Sequence, residues 1–341
     1  MKAATVRAVM IDRYGGPDEL YIGEAPKPVP GPGDVLIRVA YSSINPADWK
    51  VREGMLPITH NLGFPMIIGM DNAGIVEAVG EGVTEYKPGD RVLSLSMMAF
   101  GKGGAYAEYL LCPEPRVAHL PANLSFAEGA SIPVACSSAS STIVDACGVK
   151  AGDKVFFNGA AGGVGSFGVQ FLRYLGAEVA ATCSTRNVDY VSGLGVDRVI
   201  DYTREDVASA LRAWAPDGLN HVIDAVGQGS LPRDLPALVK QGGSIIVILN
   251  LQSGPEYFDL DLAAQRGVRV ADNVSGANIT DPIWGQVMAF RQCLAAIAEG
   301  AVKVPPIEIF SMEQVAEAQR RVEGGHVRGK IVLEINPDLE R

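Results

Sequence analysis

Lys154-Val155-Phe156-Phe157-Asn158-Gly159-Ala160-Ala161-Gly162-Gly163-Val164-Gly165 reads as a buried strand, a tight glycine turn and the first turn of a helix. Val155, Phe156 and Phe157 form a short apolar run, as a strand covered on both faces requires. Gly162, Gly163 and Gly165 let the backbone approach a ligand where a Cβ would collide. The helix that follows carries Val169, Phe171, Leu172 and Leu175 and points its N-terminus at that space. Free N–H groups and the helix dipole favour a pyrophosphate there. The spacing Ala160-x-Gly162-x-x-Gly165 is the dinucleotide fingerprint with Ala for the first glycine. A glycine turn between strand and helix also arises for packing alone. Further apolar runs at Ala177–Thr182, Val196–Asp201, His221–Ala225, Ser244–Leu249 and Val268–Ala271 favour the nucleotide. Their alternation with helical segments predicts a parallel sheet covered on both faces.

The chain has 341 residues, enough for two domains. Its net charge of −10 argues against general binding to nucleic acid or an anionic membrane. No apolar run is long enough to span a bilayer, and the N-terminus lacks the apolar core of a signal peptide. The 5 cysteines are odd in number and spread out, which suits reduced thiols in cytoplasm.

Residues 1–124 differ from the middle of the chain. Val6–Ile11, Val35–Tyr41, Gly74–Val79 and Asp90–Leu95 are short strand-like runs separated by stiff or turn-forming stretches such as Pro26–Gly33 and Lys87–Asp90. A glycine turn from Gly101 enters another strand at Tyr109. Ser125, with Glu128 three residues on, has the form of a capping box and starts a short helix to Ser131. A second helix is expected over Ala135–Cys147. After the last sheet strand come a helix from about Pro282 to Glu299, an extended piece at Pro306–Phe310, an amphipathic helix at Met312–Glu323 and a strand at Lys330–Ile335. These closing elements are expected to return to the first domain. The expected division is 1–124, completed by 273–341, and 125–272.

Several separate motifs resemble the zinc-free quinone oxidoreductase branch of the medium-chain dehydrogenase/reductase superfamily. They are Pro28-x-Pro30-Gly31-x-Gly33-Asp34, Asn45-Pro46-Ala47-Asp48-Trp49-Lys50, Gly69-Met70-Asp71-x-x-Gly74, Lys87-Pro88-Gly89-Asp90, Gly104-Ala105-Tyr106-Ala107-Glu108-Tyr109, the glycine turn and Gly329-Lys330-Ile331-Val332-Leu333. The resemblance implies an α/β protein: a GroES-like, β-rich catalytic domain and a Rossmann domain with a doubly wound parallel sheet. It also implies an active site in the cleft between them and a homodimer joined edge to edge through the cofactor sheets.

Zinc-dependent relatives hold a catalytic Zn through Cys, His and Cys or Asp. Here the first place falls near Asn45 or Pro46, the second on Met70, and only Cys136 lies near the third. One thiol does not make a Zn site, so no metal is expected. The segment from Leu93 to Gly104 is also too short for the structural four-cysteine lobe. His60, His119, His221 and His326 share no ligand spacing.

The second cofactor-domain strand ends Thr182-Cys183-Ser184-Thr185-Arg186-Asn187, with no Asp or Glu before Asp189. An acidic residue there would select NAD. Ser184 can instead donate to a 2′-phosphate and Arg186 can pair with it. Tyr202 resembles the family tyrosine beside that phosphate, so NADPH is the expected cofactor; the alternative is a solvated surface arginine. The resemblance assigns cofactor contacts to Ser138, Ala161, Gly162, Gly163, Val164, Leu249 and Lys330 as well. Ser138 stands in Cys136-Ser137-Ser138-Ala139, where relatives often carry Leu-Thr-Ala.

Without a Lewis acid, alcohol oxidation lacks its means of stabilising an alkoxide. Hydride transfer from NADPH to a quinone or an α,β-unsaturated carbonyl is the easier reaction. It needs orientation, a dry pocket and donors to a developing oxyanion. Asn45 and Asp48 are the expected catalytic residues: Asn45 resembles the family asparagine of an Asn-Pro-x-Asp motif, which implies a donor to the substrate oxygen, and Asp48 is expected in ordering its loop or in proton transfer. Lys50, Tyr41 and Tyr106 are weaker candidates, each with an ordinary structural alternative. Met97, Met98, Phe100, Asn250, Leu251 and Asn273 are candidate cleft-lining residues. The alternatives are a non-catalytic NADPH-binding protein and an enoyl-thioester or natural-product enoyl reductase.

Overall fold

The structure, a computed structural model, describes residues 4–56, 59–96, 98, 103–248, 255–273 and 284–339, with backbone only at Pro255 and Asn273. The chain forms two compact units. One comprises Met1–Val134, Ile279–Arg291 and Pro306–Arg341; the other comprises Ala135–Asn278 and Gln292–Pro305. Compared with cuts at 124/125 and 272/273, residues 125–134 group with the first unit, and 273–278 and 292–305 with the second. Within the second unit, Gln170 fixes the returning segment: its Nε2 donates to Lys303 O at 2.9 Å and Lys303 N donates back to Oε1 at 2.9 Å.

The first unit holds β1 (Thr5–Ile11), β2 (Tyr21–Pro26), β3 (Asp34–Ile44), β4 (Met66–Ile67), β5 (Asp71–Val79), β6 (Arg91–Leu95), β7 (Tyr109–Pro113) and β8 (Val117–His119). The second holds β9 (Lys154–Asn158), β10 (Glu178–Cys183), β11 (Arg198–Asp201), β12 (Leu219–Asp224), β13 (Val239–Ile248) and β14 (Arg269–Asn273). β15 (Ile307–Ser311) and β16 (Lys330–Glu334) belong to the first unit again. The helices used below are α1 (Pro46–Arg52), α2 (Phe126–Ala130), α3 (Pro133–Ser141) and α4 (Gly163–Tyr174).

In the first unit β2-β1-β4 make a small sheet, and β15-β16-β3-β5-β6-β8 make a larger one with β7 also paired to β3. β3 is its centre, and its register decides what meets at its end. Ser43 pairs with Asp71 of β5, and Ile44 pairs with Ile331 of β16. Asn45, one residue on, therefore leaves the sheet between Asp71 and Lys330. α2 begins as the capping box requires: Glu128 N donates to Ser125 Oγ at 3.2 Å and Ser125 N donates to Glu128 Oε2 at 2.8 Å.

In the second unit the order is β11-β10-β9-β12-β13-β14, with all five pairings parallel. In chain order within the unit this is 3-2-1-4-5-6, the dinucleotide-binding arrangement, and the order reverses at β9. Phe156 and Phe157 are both fully buried, one on each face. Phe156 joins the core of Ile200, Leu211, Val222, Ile245 and Val247. Phe157 lies under α4 at Gly168, where a Cβ would come within 2.5 Å of its ring. The helix expected over Ala135–Cys147 is α3 followed by a π-helical turn at Thr142–Cys147, closed by Gly148 in the left-handed region. β2 and β4 were not expected: β2 buries no residue fully and β4 is two residues long.

Candidate active site

In the first unit, Asn45 is the last residue before α1, with extended φ −116° and ψ 153° and Pro46 at the first helical position. Asp48 reaches back: its Oδ2 accepts from Asn45 N at 2.7 Å and from Tyr106 Oη at 2.9 Å. Its Oδ1 is buried with no partner. Burial pushes the Asp48 carboxyl up to about 7, helped by nearby Asp71 and opposed by its hydrogen bonds and by Lys330. Burial, with Asp48 beside it, likewise raises the Tyr106 hydroxyl well above its ordinary value.

The Asn45 carboxamide has a partner at each end. Nδ2 donates to Asp71 Oδ2 at 2.9 Å, and Oδ1 accepts from Lys330 Nζ at 2.7 Å. Lys330 Nζ also donates to Ile44 O at 3.2 Å and lies 3.5 Å from Asp71 Oδ2. Asp71 is held further by Ser43 Oγ at 2.7 Å and by the Val134 amide at 2.8 Å. Asn45, Asp48, Asp71 and Lys330 are all buried, at 2%, 0%, 0% and 5% exposure. Burial lowers the Lys330 ammonium against the raising effect of Asp71 and Asp48.

The motif thus brings Asn45 and Asp48 together, and the fold adds Asp71, Ser43 and Tyr106. In the sequence Asp71 appeared only within the Gly69-Met70-Asp71 motif; an acid in a buried strand was the signal to follow. Lys330 stands in this cluster with an acceptor for each ammonium hydrogen, so the cofactor contact expected of it would require it to leave them. Tyr41 Oη donates to Glu334 Oε1 at 3.0 Å. Lys50 is buried with its ammonium 5.5 Å from the Trp49 ring, and burial lowers its pKa.

In the second unit the glycine bend sits at the end of β9, with Gly159 at φ 91°. A buried polar set holds it. Gly159 N donates to Thr182 Oγ1 at 2.9 Å, and Thr182 Oγ1 donates to Asn158 Oδ1 at 2.5 Å. Asn158 Nδ2 donates to Asp224 Oδ1 at 2.8 Å and to Ser230 Oγ at 2.9 Å. Ala161 is buried; Gly162, Gly163 and Val164 are half-buried. The amides of Gly163, Val164 and Gly165 open α4 and have no acceptor within the helix. A Cβ on Gly162 would meet nothing nearer than 3.8 Å, so a phosphate group fits against this backbone.

Beyond β10, Ser184 leads a 3₁₀ turn at Thr185–Asn187 that carries exposed Arg186. Tyr202 follows β11, 49% exposed, and its amide donates to Cys183 O at 3.2 Å. Asp201, unremarked in the sequence, ties the two turns: its Oδ2 accepts from Thr185 Oγ1 at 2.6 Å and its Oδ1 from Thr203 N at 3.0 Å. Ser138 is buried on α3, and its carbonyl accepts from Thr142 Oγ1 at 2.7 Å. Met98 is buried. Leu249, Asn250, Leu251, Met97, Phe100 and the Asn273 side chain lie outside the described residues.

Among the described residues, no three His, Cys, Asp or Glu side chains are grouped to hold a metal ion. At the places zinc-dependent relatives use, Asn45 is engaged by Asp71 and Lys330, and Met70 offers a buried thioether. That donor set does not fit a Zn centre. Among the described residues, no helix is long and apolar enough to cross a membrane.

The alcohol dehydrogenase GroES-like domain family matches residues 31–122, and the zinc-binding dehydrogenase family matches 194–333. The chloroplastic quinone-oxidoreductase QR1 of Triphysaria versicolor is 32% identical over 98% of this chain and 100% of its own. The chain belongs to the quinone oxidoreductase branch of the medium-chain dehydrogenase/reductase superfamily. The mitochondrial NAD(P)H oxidoreductase RTN4IP1 of Danio rerio is 33% identical over 97% of this chain and 92% of its own. The solved quinone oxidoreductase from Coxiella burnetii superposes with a TM-score of 0.83 at 26% identity, over 98% of this chain and 100% of that one. As a member of this branch, the protein is an oxidoreductase, with the family's GroES-like and Rossmann architecture.

Proposed function

We propose that this protein is an NADPH-dependent reductase that transfers hydride, without a metal, to a quinone or an α,β-unsaturated carbonyl compound. The observation that carries this reading is the glycine bend. It stands where the parallel sheet reverses its order, opens α4 with unpaired amides and leaves room at Gly162. When bound, NADPH supplies the hydride. Ala161, Gly162, Gly163 and Val164 receive its pyrophosphate through their backbone. Ser184, Arg186 and Tyr202 receive the 2′-phosphate, the arginine as a charge-assisted fork. Asp201 holds the two turns that carry them.

Hydride arriving at carbon drives charge onto the substrate oxygen. Asn45 answers that charge. One Nδ2 hydrogen goes to Asp71, and the other is the donor aimed at the oxygen that becomes anionic. Asp48 and Tyr106 hold the backbone of Asn45 in place and keep its orientation before the reaction starts. Small-molecule quinones and enones both accept charge readily enough for a neutral amide donor to suffice. Support from relatives is their naming as quinone oxidoreductase and NAD(P)H oxidoreductase.

The test is NADPH and NADH oxidation with a panel of benzoquinone, phenanthrenequinone, a 2-alkenal and crotonyl thioester. The expected result is turnover of the quinones or the alkenal, faster with NADPH than with NADH. Binding of NADPH with no turnover of any compound would make the protein a non-catalytic nucleotide binder. Thioester reduction alone would move it to the enoyl-thioester reductases, and equal use of NADH would remove the 2′-phosphate assignment.

A further inference from the structure

Asn45 is held unlike an ordinary helix cap. Its carboxamide lies between a buried cation and a buried anion, with Lys330 Nζ 2.7 Å from Oδ1 and Asp71 Oδ2 2.9 Å from Nδ2. An ammonium has no acceptor and a carboxylate has no donor, so the carboxamide cannot turn over. A cation on the carbonyl oxygen draws electrons from the amide nitrogen and makes its hydrogens better donors. With both partners shielded from solvent, that polarisation is not screened away. Asp71 is itself fixed by Ser43 Oγ and the Val134 amide, and it stands 3.5 Å from the Lys330 ammonium.

We propose that Lys330 and Asp71 are positioning residues for the reduction: Asp71 fixes which way the Asn45 carboxamide faces, and Lys330 polarises it so that its remaining N–H binds the developing oxyanion more strongly. The inference rests on Asn45 being the donor to the substrate oxygen. Its consequence is selective. An enone gathers the incoming charge on one oxygen; phenanthrenequinone spreads it over two oxygens and an aromatic frame. The polarised donor therefore matters more to the enone.

Lys330→Met keeps much of the side-chain length and removes the charge; Lys330→Arg returns a cationic donor. Lys330→Met should lower kcat for the alkenal roughly tenfold, short of the hundredfold or more lost with a whole oxyanion donor. Phenanthrenequinone turnover should fall by clearly less than alkenal turnover, and the alkenal KM should change by less than about threefold. Lys330→Arg should recover part of the alkenal rate. The side-chain amide nitrogen resonance of Asn45 should move upfield in Lys330→Met, a readout that needs no turnover. Because Lys330→Met leaves a buried carboxylate unpaired, the double variant Lys330→Met/Asp71→Asn is measured beside it. Equal loss for both substrates, or an unmoved Asn45 resonance, in a folded variant overturns the inference. If Asn45→Ala is slow on the alkenal while the Lys330 variants are not, only this inference falls. If Asn45→Ala reduces the alkenal at the normal rate, the catalytic reading of Asn45 falls with it.

Discussion

Asp48 has one carboxylate oxygen with two donors and one with none, inside a unit where it is shielded from water. That imbalance has a measurable sign. The folded carboxyl titrates at about 7, above the 3.8 of an ordinary aspartate. Between those values the folded chain keeps a proton that the unfolded chain has released. Stability from this group is therefore full at low pH and is lost as pH rises through about 7. In Asp48→Asn, the carboxamide oxygen can take the two donors and the NH₂ can occupy the unpartnered position. The melting temperature of the variant minus that of the wild type should climb between about pH 4 and pH 7 and be level outside that window. Other titrating groups cancel in the difference, so a level difference throughout would show that Asp48 ionises normally. Asn45 and Asp48 could be found in the sequence because Asn45-Pro46-Ala47-Asp48 resembles a motif of the family. Their partners could not: Asp71 lies 26 residues from Asn45 and Lys330 lies 285 away. Only strand register joins them.

The glycine bend shows what one element owes to packing and what to a ligand. A Cβ on Gly165 would come within 2.2 Å of Gly159 O and 2.7 Å of Ala160 Cα, so α4 could not sit where it does. A Cβ on Gly162 would meet only Gly159 O, at 3.8 Å, and its φ of −77° suits any residue. Gly165→Ala should therefore lower the melting temperature markedly, by the several degrees that a loss of about 2 kcal/mol produces. Gly162→Ala should melt within about 2 °C of the wild type while binding NADPH at least tenfold more weakly, if the phosphate approaches this backbone as proposed. Calorimetry and fluorescence titration separate the two. Unchanged NADPH affinity in Gly162→Ala would remove the cofactor from this bend. The fingerprint spacing made both glycines visible, but not their difference, which depends on how far α4 stands from the end of β9. At the same scale, β9 could be read because Phe156 and Phe157 are buried on both faces. β2 could not, because its exposed and half-exposed residues show no core face.

The second unit ends its sheet on β14, the outer strand among those described, paired to β13 on one side. An open edge of this kind invites another strand. The homodimer implied by the family resemblance would close it by a two-fold axis, with the same face on both copies. Side chains alternate between faces, and a two-fold axis normal to the sheet keeps each face on its own side, so the residue at the axis meets its own copy. Light scattering should give twice the 36.0 kDa chain mass. With the axis at half-buried Ala271, Ala271→Lys sets like charges face to face and should shift the protein toward monomer. A wild-type monomer, or a dimer indifferent to this change, would mean that this edge is covered in another way. Alternating strands and helices predict a parallel sheet, and hence an edge. Its pairing with a second copy is not written in that alternation, because a two-fold axis sets β14 against itself and leaves no complementary partner for the sequence to show.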